Sequence, residues 1–448
     1  MRFLACSRAL PYAQAMSAKT VSGEPRNVLR RERSALLAAG LTNGPAELID
    51  FLIPLWAGIA LGADASQVGL LIAAELLVSV LVRPLAGRLA DSRERRNLAG
   101  VGAAIYGLSC CGYALADSLP MAFAAAVVGG IGGAVLWVSL RAIVSERLAA
   151  DPEVFARLMS VQATGSWIAF VAGLMLLGQI NLFAPVLAGC GVACLIGAVA
   201  LFTSPARLAG EPVGAGTAAG TFEGAVGGAV GGAVGGDAGG TVAGGAGAAT
   251  RTVARRVRPM LIASATTAVA EAAVSILLLL HLQRGFGLGV IQAAYVFLPG
   301  ALALMVLPPL LHKVVLRIGR SRAVIAASVF STVFAVSLAW ATSPVLISGL
   351  WILSGVAWAV LMPVEQAVVA EAVPASVGTV MGVYTAVGLL SAAVGALAAG
   401  MLYEFSSWQA ACLVSGALIL SGAVLGPWAI RRLGVADFPA ADSAVAPD

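Results

Sequence analysis

The sequence predicts an all-α integral membrane protein with twelve transmembrane helices in two pseudo-symmetric six-helix bundles. Three observations support this fold class: the apolar composition, the distribution of basic residues, and the recurrence of charged residues at one offset. Of 448 residues, 60% are hydrophobic and 11% are charged, whereas soluble proteins carry about 25% charged residues. A mean hydropathy of +0.95 indicates lipid as the main solvent and excludes disorder, a collagen-like fibre and a secreted disulfide scaffold.

Twelve apolar stretches match the length of about 20 residues that a helix needs to cross the hydrocarbon core. They cover residues 35–61, 66–86, 98–117, 119–148, 156–178, 181–203, 258–282, 288–311, 322–341, 344–370, 377–402 and 408–430. Several are rich in Gly and Ala, which allows close packing between membrane helices.

The basic residues predict the orientation of these spans. With the N-terminus in the cytoplasm, 26 of the 27 Lys and Arg residues fall on the inner side and only Arg284 falls outside. Such asymmetry is typical of membrane proteins and places both termini in the cytoplasm. The basic pI therefore reflects topology, and we expect no nucleic-acid partner. Arg outnumbers Lys, and Ala, Gly and Val are abundant, so we expect a bacterial cytoplasmic membrane protein.

Composition divides the chain into five segments. Residues 1–34 have no apolar stretch long enough for a signal peptide, and Met16 is an alternative start. A glycine-rich, low-complexity stretch without a polar face predicts a flexible linker between the bundles. The predicted segments are a cytoplasmic tail at 1–34, a first bundle at 35–204, a cytoplasmic linker at 205–257, a second bundle at 258–431 and a cytoplasmic tail at 432–448.

The loop after the second span carries the sequence GRLADSRERR at residues 87–96. It resembles the signature G-x-L-A-D-R-x-G-R-[KR] of the major facilitator superfamily. The matching residues are Gly87, Leu89, Ala90, Asp91, Arg95 and Arg96, and the departures are Ser92 and Glu94. The corresponding loop of the second half keeps Arg317, Gly319 and Arg320 but has Leu316 at the Asp position. The resemblance implies two six-helix halves around a central substrate cavity.

Aligning the two loops sets a repeat of about 225 residues, and charged residues elsewhere recur at nearly the same offset. These pairs are Glu47 with Glu271, Arg141 with Glu365, and Glu146 with Glu371. The recurrence favours two related halves that keep functional charges at equivalent positions.

Charged residues inside the spans are the candidates for function, because a charge at the centre of a membrane helix costs about 2.5–3.5 kcal/mol. The predicted substrate- and proton-binding residues are Asn43, Glu47, Asp50, Glu75, Trp137, Arg141, Glu271 and Glu365. Asn43, Glu47 and Asp50 share one helix face, which faces either a cavity or a neighbouring helix. The alternative is that Arg141 forms a structural ion pair with one carboxylate and the other carboxylates lie near the headgroups.

The excess of carboxylates over Arg141 suggests coupling to a proton gradient. Burial and like-charge neighbours favour the protonated form of carboxyl groups. We expect Glu47 or Asp50 to carry the proton, with Glu271 as a candidate partner, in competition with a cationic or amphiphilic substrate. Apart from the proton gradient, we expect no cofactor.

The resemblance also implies a gating motif of Gly87, Asp91, Arg95, Arg96 and Glu146. By position, Asp91 lies at the cytoplasmic start of helix eleven and Arg95 pairs with Glu146 at the end of helix four. An anion at a helix N-terminus is favourable by about 0.3–1 kcal/mol. These contacts are expected to hold the cytoplasmic side closed.

We therefore expect a monomeric secondary active transporter that exports small amphiphilic or cationic compounds by proton antiport. An importer of a sugar or another metabolite, and a membrane sensor without flux, are the alternatives. The exporter signature G-x-x-x-G-P-x-x-G of helix five is incomplete at residues 165–173, where Ala169 replaces the second Gly and the Pro is absent. In the helix-four signature R-x-x-x-G, Ala126 replaces the Arg.

Enzymatic function is not expected. The two His residues lie far apart in the chain, the Cys residues lie mostly in apolar runs, and the sequence contains no phosphate-binding loop. We therefore predict no metal site.

Overall fold

The structure is a computed structural model that describes residues 26–180, 182–206, 241–288 and 290–438. The predicted N-terminal tail up to residue 25, most of the glycine-rich linker and the end of the C-terminal tail lie outside the described residues.

Within the described ranges the chain forms twelve helices that are long and apolar enough to cross a membrane. They are α1 (Arg26–Ala60), α2 (Ala65–Ser92), α3 (Arg95–Leu115), α4 (Leu119–Val144), α5 (Val154–Ile180), α6 (Phe183–Phe202), α7 (Thr241–Leu280), α8 (Val290–Ile318), α9 (Arg320–Leu338), α10 (Pro344–Ala372), α11 (Val377–Phe405) and α12 (Trp408–Leu433). The predicted all-α class and the number of crossings are confirmed.

Helices α1–α6 and α7–α12 form two bundles. In the first bundle α4 packs on α2 and α3, and α1 packs on α5 and α6. In the second bundle α10 packs on α8 and α9, and α7 packs on α11 and α12. The halves meet mainly where α2 packs along α11 and α5 packs along α8.

Two helices begin before the predicted apolar spans, because polar helical turns precede them. Helix α1 begins at Arg26, before the predicted start at residue 35. Ion pairs support this extension: Arg31 pairs with Glu94 at 2.7 Å and with Glu146 at 2.8 Å. Helix α7 begins at Thr241, so the predicted linker is helical from that residue onward. Its start is rich in Ala, the residue with the highest helix propensity.

Apolar packing closes one side of the molecule. We call the side of the membrane where residues 87–96 lie the motif side, and the opposite side the far side. One buried apolar cluster on the motif side includes residues of both halves. Its members from the second half are Ala367, Ala370, Val377 and Met381. On the far side, the described apolar clusters belong to one half each, so the shared packing holds the motif side closed.

The internal repeat appears in the contacts as well as in the sequence. Arg95 bonds Glu146 at 3.2 Å, and Arg320 bonds Glu371 at 2.6 Å. Both pairs join residues that are 51 positions apart. The same ion pair therefore supports both bundles on the motif side.

Glycines allow the backbones of α2 and α11 to touch. A Cβ atom at Gly87 would collide with the carbonyl oxygen of Gly378, and a Cβ atom at Gly378 would collide with the carbonyl oxygen of Gly87. A Cβ atom at Gly382 would likewise collide with the carbonyl oxygen of Arg83. Small residues at both sides of this contact let the two halves close on the motif side.

We predict that Gly87→Ala opens the motif side, because overpacking of a close contact costs about 1–3 kcal/mol, or roughly 5- to 150-fold in the population of the closed state. A Ser160→Cys reporter between α5 and α8, in a background without native cysteines, should react faster with a membrane-impermeant maleimide. Gly69→Ala, on the same helix where nothing lies within 4 Å, is the matched control. Equal labelling rates in the two variants would contradict the prediction.

Candidate functional site

A cavity of about 370 Å³ lies between the two halves, lined by α1, α2 and α4 on one wall and by α7, α10 and α11 on the other. Its volume falls in the range of small-molecule sites, about 300–1,000 Å³. The polar lining residues are Asn43, Arg83, Trp137, Arg141, Ser264, Thr267, Glu271, Ser275, Trp358, Glu365, Gln366, Tyr384 and Thr385. Five of the eight predicted binding residues are thus in this lining, namely Asn43, Trp137, Arg141, Glu271 and Glu365.

Two carboxyl groups lie in the second-half wall, and hydroxyl groups hold both of them. Ser331 donates to Glu271 at 3.2 Å, and Tyr384 donates to Glu365 at 2.8 Å. The two glutamates are 7% and 6% exposed. No ion pair joins either to a described basic residue within 4.0 Å, so neither carboxyl group has a cationic partner in the described part of the chain.

Two guanidinium groups lie in the first-half wall. Arg141 of α4 donates to the carbonyl oxygen of Trp137 at 3.3 Å, and Arg83 of α2 donates to the hydroxyl of Ser79 at 3.3 Å. No carboxylate oxygen of a described residue lies within 4.0 Å of either group. The charges of the cavity are therefore separated, with the arginines on one wall and the glutamates on the other.

Arg83 is the cavity residue that the sequence analysis missed. The prediction counted it among the basic residues of the inner side, although the predicted span 66–86 contains it, and did not name it as a binding residue. It lies one helical turn before Gly87, on the face of α2 that meets α11. Its four-residue spacing from the signature glycine is the signal that could have identified it.

The α1 carboxylates extend from the cavity toward the far side. Asn43, which lines the cavity, donates to Glu47 at 2.8 Å and to the hydroxyl of Ser166 at 3.0 Å. Glu47 and Asp50 follow on the same helix face and are exposed. The α1 stripe therefore carries exposed carboxylates beyond the cavity lining.

Glu75 lies apart from the other predicted binding residues. It accepts a hydrogen bond from the hydroxyl of Tyr113 in α3 at 3.2 Å, and Gly129 of α4 packs next to its carboxyl group. It is not among the residues that line this cavity with Glu271 and Glu365. Its position in mid-span could not show that its helix face turns into the first bundle.

Asp91 joins the two halves on the motif side. Its carboxylate accepts hydrogen bonds from the backbone N–H groups of Gly378 and Thr379 at 2.6 and 2.7 Å, and from the Thr379 hydroxyl at 2.7 Å. These residues form the first turn of α11, where an anion also interacts favourably with the helix dipole. A guanidinium nitrogen of Arg95 lies 3.7 Å from a carboxylate oxygen of Asp91.

The residues around Asp91 extend this contact into a network within the first half. Arg95 bonds Glu146, and Arg96 donates to the carbonyl oxygen of Ser204. Arg31 of α1 pairs with Glu94, one of the two departures from the superfamily signature. This partner lies 63 residues away in the chain, so local spacing gave no signal for it.

The α5–α8 contact lacks an equivalent of Asp91. Leu316 lies at the corresponding position of the second half. Among the described residues, the hydrogen bond between the halves here is the one from the Ser160 hydroxyl to the carbonyl oxygen of Met305. Polar closure of the motif side therefore depends mainly on α2 and α11.

Two six-helix bundles around a polar central cavity, with one side closed, are typical of membrane transporters that bind their substrate between two bundles. The sequence matches the family model of the Major Facilitator Superfamily over residues 35–348 and 260–439. The chain belongs to this superfamily, whose members are transporters, and it is a multi-pass membrane protein.

Solved structures agree with this fold. The human organic anion transporter MFSD10 (TETRAN) is similar with a TM-score of 0.68 and 19% identity, over 90% of this chain and 100% of that one. The proton:xylose symporter XylE, bound to 6-bromo-6-deoxy-D-glucose, has a TM-score of 0.65 and 13% identity, over 89% of this chain and 94% of that one. At these identities the likeness concerns the fold alone. No curated protein matches the chain.

We predict that Asp91→Asn shifts the protein toward a state open on the motif side, because hydrogen bonds to a charged group contribute about 1.5–3 kcal/mol each. Spin labels are attached at Arg93→Cys and Ala375→Cys, both exposed and in opposite halves. In double electron–electron resonance, the distance between them should be longer in Asp91→Asn than in the protein that keeps Asp91. Asp117→Asn, which alters an exposed carboxylate on the far side, is the control. An unchanged distance distribution in Asp91→Asn would rule out the latch role.

Proposed function

We propose that this protein is a proton-coupled secondary transporter of small amphiphilic compounds that works by alternating access. The observation that carries the proposal is the pair Glu271 and Glu365, two buried carboxyl groups without basic partners in a cavity between the halves. A charge kept inside a membrane protein without a structural partner marks an ion or proton pathway. The superfamily membership supports the transport itself.

The closed motif side supports a mechanism of alternating access. Asp91 and the glycine contact of α2 with α11 hold the halves together on one side. Breaking these contacts and forming others on the far side would expose the same cavity to the other compartment. The hydrogen bonds of one carboxylate and one backbone contact are small enough in energy to be reversed during a transport cycle.

The hydroxyl partners suit a proton-carrying role for the two glutamates. Ser331 and Tyr384 each place a hydroxyl group within hydrogen-bond distance of one of the two carboxyl groups. A hydroxyl group is both donor and acceptor, so each can turn and accept a hydrogen bond when its glutamate is protonated. The exposed Glu47 and Asp50 of α1 extend from the cavity toward the far side, and we assign them to proton entry there.

Export is the direction that we propose, on the basis of the acidic residues of α1 and of the cavity, whereas the exporter signature of helix five is incomplete. Import of a metabolite is a second candidate, and the position of Arg83 favours it. With Arg83 in the lining, the cavity holds two arginines and two glutamates. The excess of acid that suggested a cationic substrate for an antiporter is therefore smaller than the sequence indicated.

The proposal also covers the membrane in which the protein lies and its oligomeric state. The strong inward bias of Lys and Arg supports cytoplasmic termini, and the Arg-rich, Ala-rich composition supports a bacterial cytoplasmic membrane. We propose that the transporter acts as a monomer, since the cavity lies between two halves of one chain.

Coupling of transport to the proton gradient is tested by measuring the flux of each compound of a panel in inside-out and right-side-out vesicles. Each measurement is made with and without an uncoupler. We predict that Glu271→Gln and Glu365→Gln lose gradient-driven accumulation by roughly 10-fold or more, as expected when a positioned proton carrier is removed. Downhill exchange should continue, because a neutral side chain still lines the cavity. Glu47→Gln and Asp50→Asn should lower the rate less.

Asp117→Asn is again the control for loss of an exposed carboxylate. Uncoupler-insensitive accumulation by the wild type, or wild-type accumulation in both glutamate variants, would refute proton coupling. The vesicle orientation that accumulates compound decides between export and import, and absence of flux for every compound would indicate a sensor.

A further inference from the structure

The two arginines of the cavity have hydrogen-bonding capacity that the protein does not use. Arg83 is 8% exposed, and the one hydrogen bond of its guanidinium group to a described residue is that with Ser79. The Nε atom of Arg141 is buried without a hydrogen-bond partner. The two groups lie on packed helices and repel one another. The first-half wall therefore concentrates unpaired positive charge.

Among the most buried described arginines, only Arg83 has no carboxylate partner, and Arg141 is half-buried. Arg31, Arg95 and Arg320 are 7%, 7% and 2% exposed, and each bonds a glutamate. A buried charge without a partner is strongly unfavourable. Arg83 and Arg141 differ from the paired arginines in facing a cavity, so a molecule that enters the cavity can supply the missing anion.

The glutamates of the cavity do not fill this role in the described state. Glu271 and Glu365 lie on the opposite wall and already accept hydrogen bonds from Ser331 and Tyr384. No oxygen of either glutamate lies within 4.0 Å of a guanidinium nitrogen. The space between the walls separates the two sets of charges.

We infer that Arg83 and Arg141 bind the carboxylate of the transported compound, which is an amphiphilic organic acid. This inference rests on the proposed function and names its substrate class. The arginine fork matches carboxylate geometry, with two parallel N–H donors for two oxygens. The side chain of Gln366 lies in the same lining, and its amide N–H2 group is a further donor for a carboxylate oxygen.

The rest of the lining suits the apolar part of such an acid. Trp137 and Trp358 lie on opposite walls, and Leu361 and Met362 adjoin Trp358. Aromatic and thioether side chains pack well against an aromatic ring. The cavity thus combines a cationic end with an apolar body, as an amphiphilic anion requires.

Three compounds of one skeleton test the charge preference: 3-phenylpropanoate, 3-phenylpropanamide and 3-phenylpropylamine. Binding to the purified full-length protein is measured by intrinsic tryptophan fluorescence and by isothermal titration calorimetry. We expect the carboxylate to bind roughly 10- to 100-fold more tightly than the amide, as hydrogen bonds to a charged group predict, and the amine to bind least.

Variants assign this preference to the two arginines. Arg83→Gln and Arg141→Gln should each weaken carboxylate binding by roughly 10-fold or more and leave amide binding unchanged. Arg141→Lys should recover part of the affinity, because it keeps the charge and loses the fork. Lys313→Gln, which removes an exposed cation on α8, should bind like the wild type. Size-exclusion profiles and melting temperatures verify that each variant is folded.

The inference is overturned if the carboxylate does not bind, if the amide or amine binds as tightly, or if both Gln variants keep wild-type affinity. Its failure is distinct from failure of the proposed coupling, because binding requires no gradient. Carboxylate binding together with uncoupler-insensitive flux would refute proton coupling and support the arginine site.

Discussion

The cost of placing charge in a low-dielectric medium is the constraint on which this structure depends. The protein meets it in two ways. On the motif side, buried arginines such as Arg95 and Arg320 pair with glutamates and stabilise each bundle. In the centre, Arg83 and Arg141 have no such partners and instead face a cavity. Paired charges thus support the scaffold, and we propose that the charges without partners mark the place where a ligand and protons act.

The contact that closes the motif side and the cavity both involve helices α2 and α11. On α2, Arg83 lines the cavity one turn before Gly87, which touches α11. On α11, Gly382 lies against the backbone of Arg83, and Tyr384 bonds Glu365. A change in the packing of α2 on α11 therefore moves an arginine and the hydroxyl partner of a glutamate together. This arrangement gives a direct physical route between occupancy of the cavity and closure of the motif side.

Prediction from the sequence succeeded where one helix or one local signal decides the outcome. The spans follow from length and hydropathy, and the offset of Glu146 and Glu371 appears again in their ion pairs. It failed where a neighbouring helix decides the outcome. Glu75 and Glu271 look alike in the sequence, yet one faces α3 and α4 and the other faces the cavity. Within α2, only the position relative to Gly87 indicates which face meets α11 and which meets α4.

By itself, the sequence determined the solvent of the chain, the number of crossings, the internal repeat and a signature for the motif side. These properties depend on composition and on short-range order along the chain. Only the tertiary structure decided which charges are paired and which face the cavity, because partners such as Arg31 and Glu146 are 115 residues apart. It showed that Arg83 lines the cavity and that Glu75 does not, since burial and pairing depend on how the helices pack against one another.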